Sequence, residues 1–103
     1  MTTRLTAVVL LLAVTGAALG QERERLEERS LAATCAQCHG TDGAPAPGSS
    51  LPALAGMPRE ELAAQLKAFK AGTRAGTIMP QLSKGYSDAQ IGQLASYFAA
   101  RKK

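Results

Sequence analysis

The sequence predicts a small all-α domain built from several short helices. Three observations lead there. Apolar residues recur at helical spacing in two separate stretches, Leu62, Leu66 and Phe69, then Ile91, Leu94, Ala95 and Phe98. Ser87 and Gln90 form a capping box that opens the second stretch. No strand pattern surrounds the two cysteines.

The chain begins with a segment of another kind. Met1-Thr2-Thr3-Arg4 is a basic end, Leu5 to Ala17 an apolar run, and Ala18-Leu19-Gly20 a small-residue exit before Gln21. That is the layout of a secretory signal peptide, with cleavage expected after Gly20 and residues 21–103 left as one domain. The competing reading is a retained membrane anchor. The run is short for a span, and Glu22-Arg23-Glu24-Arg25 beyond it is mixed in charge rather than basic. No membrane span is expected in the mature chain.

Residues from Glu22 to about Ala36 read as a helix with an acidic first turn and a thin apolar face of Leu26, Ser30, Leu31 and Ala33. Gly40 to Gly56 is a long loop rich in Gly, Pro and Ser. A helix follows from Pro58 to about Ala71, with Glu60 and Glu61 in its first turn and Gly72 past its end. Thr73 to Gly85 is expected to be a second loop, carrying Gly76, Met79 and Pro80. The last helix starts at the Ser87 cap, with Tyr86 placed to staple onto Ile91, and ends near Arg101, Lys102 and Lys103.

The formal charge is +4 and falls by one if Arg4 leaves with the signal. So mild a basic balance, with acids gathered between Glu22 and Glu28, does not argue for nucleic acid. The aromatic residues are Phe69, Tyr86, Tyr97 and Phe98, with no Trp. A domain this small is marginal on its own core, and a large apolar cofactor would complete it.

The chemistry gathers at Cys35-Ala36-Gln37-Cys38-His39. Two thiols one helical turn apart can each add to one vinyl group of a porphyrin, and the adjoining imidazole then offers iron a nitrogen ligand. A redox-active Cys pair would want a βαβ context. Structural zinc would want more Cys or His ligands than the chain contains. A disulfide between Cys35 and Cys38 would close too short a loop to stabilise much. The second axial position of such an iron is open or filled, and no second His exists to fill it. Met79, in a loop forty residues past His39, with Pro80 behind it, is the preferred ligand. Met57 is read as a core filler. No catalytic residue is assigned.

These residues resemble class I cytochromes c, and most closely the short bacterial type that includes cytochromes c4 and c553 and the haem subunit of flavocytochrome c sulfide dehydrogenase. The resemblance runs through the Cys-Cys-His motif with Gly40, then Leu51-Pro52-Ala53-Leu54-Ala55-Gly56, Leu66 to Gly72, Arg74, Ile78-Met79, Lys84-Gly85-Tyr86-Ser87-Asp88, and on to Tyr97-Phe98. There are two departures. Only one haem motif is present, unlike a dihaem cytochrome, and Leu31 stands where many members place an aromatic residue.

The resemblance implies a class I fold wrapped around one covalent haem c. Cys35 and Cys38 would attach it, His39 and Met79 would ligate its iron, and the Pro52 carbonyl would accept a hydrogen bond from His39. It also implies a periplasmic one-electron carrier, not an enzyme, working with redox proteins that include a flavoprotein sulfide dehydrogenase subunit. Lys67, Lys70, Lys84 and Arg74 would then be steering charges. A haem enzyme or gas-binding protein with an open distal iron position is the alternative.

Overall fold

The computed structural model describes the backbone of residues 1–103 and the side chains of all but Thr3 and Leu11. In chain order come α1 (Thr2–His39), a 3-10 turn (Thr41–Gly43), α2 (Arg59–Ala71), α3 (Met79–Lys84) and α4 (Asp88–Ala99). Among the described residues there is no strand, so the predicted all-α class holds.

Helix α1 is 38 residues long. At about 1.5 Å per residue it accounts for most of the 66 Å long axis of the molecule. It runs through Gly20 without a break, so no change of secondary structure marks the expected processing point. By length and composition it is apolar enough to cross a membrane, and its apolar window is unburied.

The C-terminal half of α1 packs on α4. Here the expected face needs correcting. Ala32 is buried and Leu31 and Cys35 are half-buried against the core, whereas Leu26, Ser30 and Ala33 are exposed. The buried and half-buried positions fall at 28, 31, 32, 35, 36 and 39, one stripe at spacings of three and four. That stripe leads directly into His39. The helix also extends past Ala36, its expected end, to His39. Gly40 stops it at φ +83, where an added Cβ would lie 2.0 Å from the Ala44 carbonyl oxygen.

Helix α2 ends at Ala71 as expected and buries Leu62 and Leu66, but it begins at Arg59, and Pro58, expected at its first position, is the extended residue that caps it. Gly72 closes it in the left-handed conformation, and its N–H bonds back to the last turn. The segment expected to be a loop from Thr73 to Gly85 contains α3, which packs on α2. Pro80 sits in the first turn of α3, where a missing N–H costs nothing.

The capping box of α4 is formed in both directions: Gln90 N donates to Ser87 Oγ at 3.1 Å and Ser87 N to Gln90 Oε1 at 2.9 Å. The predicted stripe is the centre of the core, with Ile91 and Ala95 at 0% exposure, Leu94 at 1% and Phe98 at 2%. Tyr97 is buried beside them. Its hydroxyl donates to the Asp42 carboxylate, and the Arg101 guanidinium lies 4.3 Å over its ring. The Gly43 carbonyl accepts from Leu54 N and Ala55 N, and Gly56 N donates to the Phe98 carbonyl. These bonds fasten the loop after His39 onto α4.

Candidate cofactor site

One cavity of about 520 Å³ opens among α1, the 40–56 loop, α2 and α3. That volume falls within the roughly 300–1,000 Å³ of small-molecule and cofactor sites. Its floor consists of core residues, Leu54, Leu62, Leu66, Leu94 and Phe98. Leu51, Ile78 and Leu82, which are exposed, stand around it.

Cys35, Cys38, His39 and Met79 all line this cavity. The three residues of the motif reach it because α1 places i, i+3 and i+4 on one face. Both thiols are free, Cys38 exposed and Cys35 half-buried. Burial pushes the Cys35 thiol above its ordinary pKa and outweighs the opposing effect of the neighbouring Thr34 hydroxyl.

His39 is 8% exposed. Its Nδ1 lies 2.8 Å from the Pro52 carbonyl oxygen. A carbonyl only accepts, so Nδ1 carries the proton and the lone pair is left on Nε2. The ring is therefore held in the tautomer that a metal ligand requires. Met79 enters the wall as the first residue of α3. Met57 lines the same cavity, so both candidate methionines are at hand.

Sequence reasoning missed two features of the wall. The Thr34 and Tyr86 hydroxyls are 2.9 Å apart. Thr34 spends its proton on the Leu31 carbonyl at 2.7 Å, so the Tyr86 hydroxyl is the donor between them. This bond ties the turn before Cys35 to the turn before α4. The other feature is the place of Arg74 on the cavity wall, since the sequence offered it only as part of the resembling segment and as a steering charge.

An apolar cleft with two unpaired thiols, one oriented imidazole and a thioether suits a flat, apolar, metal-bearing ring. The set is too sparse to hold a bare ion: among the described residues no three His, Cys, Asp or Glu converge on a metal position.

The Cytochrome c family model matches residues 28–101, which take in every one of these side chains. The chain belongs to the cytochrome c family. This cytochrome is 41% identical over 71 residues to a thiosulfate dehydrogenase electron acceptor of Thiomonas intermedia, covering 69% of this chain and 33% of that protein. It is 38% identical over 73 residues to the cytochrome subunit of sulfide dehydrogenase of Chlorobaculum tepidum, covering 71% of this chain and 64% of that one. Among solved structures, cytochrome c4 of Acidithiobacillus ferrooxidans matches with a TM-score of 0.60 at 38% identity, over 64% of this chain and 37% of that one. The chain thus spans about a third of the length of some relatives and under two thirds of the other. The fold is the all-α class I cytochrome fold, and the family carries covalently bound haem c. Its relatives are cytochromes, among them thiosulfate dehydrogenase electron acceptors and a cytochrome subunit of sulfide dehydrogenase.

Proposed function

We propose that this cytochrome is a periplasmic one-electron carrier, with its haem attached through Cys35 and Cys38 and ligated by His39 and Met79. The observation that carries the reading is the convergence of these four side chains on one apolar cavity, with His39 already fixed by Pro52. When bound, the haem supplies a one-electron iron couple. The chain's own residues supply the rest. Pro52 orients the imidazole, the leucines and Phe98 exclude water, and Met79 would supply the sulfur ligand that keeps substrate from the metal. The preference for Met79 over Met57 rests on its position at the start of α3, in the same segment as Ile78 and Pro80.

Residues 1–20 act as an export signal removed after Gly20, which delivers residues 21–103 to the compartment where relatives of this kind are typically found. The partners are redox proteins. Likeness to a sulfide dehydrogenase subunit and to a thiosulfate dehydrogenase electron acceptor favours a donor that oxidises reduced sulfur, of which a flavoprotein is one.

The test is to express the full chain in a host that matures c-type cytochromes. Periplasmic material should begin at Gln21, keep its colour through acid–acetone extraction, and show a low-spin spectrum that carbon monoxide does not alter quickly. A high-spin ferrous form that binds carbon monoxide at once would select the open-site reading.

A further inference from the structure

Tyr86 is half-buried in the cavity wall, at the end of a stripe that contains Met79. Ile78, Met79, Leu82 and Tyr86 all line the cavity, at the intervals that place side chains on one face of a helix. The turn that carries the stripe past α3 is held by Gly85 N on the Leu82 carbonyl at 3.0 Å and Tyr86 N on the Ser83 carbonyl at 3.2 Å. The Tyr86 carbonyl in turn accepts from Lys70 Nζ of α2 at 2.6 Å. Its backbone is thus fastened to α2 and α3, while its hydroxyl reaches Thr34 of α1 at 2.9 Å. Thr34 Oγ1 is itself held by the Leu31 carbonyl at 2.7 Å. At the other end of the segment, a Cβ added to Gly76 would meet Phe69 of α2 at 3.0 Å and Pro80 at 3.1 Å, so the approach to Met79 is seated on α2.

Helix α3 packs on α2, whereas α1 packs on α4. Ile78 and Leu82 of the α3 segment are exposed, so few buried contacts hold it from the cavity side. A short helix held in this way opens locally at low cost. The phenol of Tyr86 opposes that opening, because its hydrogen bond runs from the segment of Met79 to the helix of Cys35, Cys38 and His39. A thioether is a neutral, weak ligand, so the time it spends on a metal depends on how firmly its backbone is held. We propose that Tyr86 is a positioning residue: through Thr34 it closes the cleft and keeps Met79 on the iron. This rests on the haem and Met79 reading above.

The test uses the haem-loaded protein. Carbon monoxide reaches ferrous iron only while Met79 is off it, so its binding rate measures how often the cleft opens. Tyr86→Phe keeps the ring and removes the hydroxyl, and should speed carbon monoxide binding about fivefold, the factor equivalent to about 1 kcal/mol. Thr34→Val removes the acceptor and should do the same. The double variant should be no faster than either single one, because both remove one bond. Tyr97→Phe is the control for a merely structural loss: it removes the hydroxyl bond to Asp42, outside the cavity, and should lower the urea midpoint without changing the carbon monoxide rate. The proposal is overturned if Tyr86→Phe binds carbon monoxide no faster than wild type, if Tyr97→Phe speeds it as much, or if the two single effects multiply in the double variant. The far-red band of the ferric protein separates these results from a failure of the underlying reading. A wild type without that band, or a Met79→Ala variant that keeps it, removes the Met79 ligand and this proposal together. A wild type with the band, and Tyr86→Phe unchanged in rate, removes this proposal alone.

Discussion

His39 and Pro52 are joined by a 2.8 Å bond from Nδ1 to the backbone carbonyl oxygen, across thirteen residues of chain. The bond links the last residue of α1 to the middle of a loop that is otherwise held by α4. Because the acceptor belongs to the backbone, the orientation of the imidazole depends on the path of the loop and not on the Pro52 side chain.

The path of that loop is set at Gly40. An alanine there has both a strained positive φ and a Cβ within 2.0 Å of the Ala44 carbonyl oxygen. Gly40→Ala should cost about 3 kcal/mol or more and displace His39 from Pro52. Urea unfolding and the yield of covalently loaded protein should both fall sharply, while Gly48→Ala, with open space around its Cβ but an equally positive φ, should cost only about 1 kcal/mol.

The two methionines are separable by spectroscopy. Met79→Ala should abolish the weak far-red band of sulfur-ligated ferric haem, lower the reduction potential and open the iron to carbon monoxide. Met57→Ala should leave the band in place and lose about 2 kcal/mol of stability through the cavity it creates. Loss of the band in the Met57 variant alone would reverse the ligand choice.

Tyr97 should make stability depend on alkaline pH. The hydrogen bond to Asp42, then burial, then the carboxylate charge raise its phenol above the ordinary value of 10.0. The bond requires the protonated phenol, so its contribution is complete below the unfolded-state pKa and is lost as pH rises through the higher folded-state value. Tyr97→Phe should therefore be less stable than wild type by about 1 kcal/mol near neutrality. The gap should hold up to about pH 9 and narrow as the pH rises past about 10, the ordinary value for a phenol. Urea midpoints of the two proteins across that range check it.

Ser83 is fully buried in α3 and its Oγ has no hydrogen-bond partner. Leaving a hydroxyl in that state costs about 1–3 kcal/mol. Ser83→Ala should thus raise the unfolding free energy by about 1 kcal/mol, with no change in the absorption spectrum. Destabilisation instead would mean that a water or another group satisfies Ser83.

Much of this arrangement was legible in the residues. The stripe of α4 and its capping box are local features, written in the spacing of Ile91, Leu94, Ala95 and Phe98 and in the pair Ser87–Gln90, and both formed as read. The motif at residues 35–39 announced its chemistry because thiol and imidazole types at that spacing have few other uses. Helix α3 was hidden because six residues between Gly76 and Gly85 are too few to show a period, and the Pro80 that suggests a loop is equally at home in a first turn. The packed face of α1 was misassigned because its alanines and leucines do not declare a side, and only contact with α4 selects Ala32 over Ala33. Arg74 and the Tyr86–Thr34 bond depend on chain separations that no local pattern encodes.

The floor of the cavity is made by side chains that also belong to the core. Leu54, Leu62, Leu66, Leu94 and Phe98 serve both. A polypeptide that never receives its ring therefore presents a wetted hydrophobic trough instead of a closed interior, and its native state lies close in free energy to partly open forms. Such a chain should be cut by proteases more readily than one whose proposed thioethers at Cys35 and Cys38 would hold the missing wall in place. On the proposed attachment, maturation would double as quality control: molecules that survive to meet a partner would be those already equipped to exchange an electron with it.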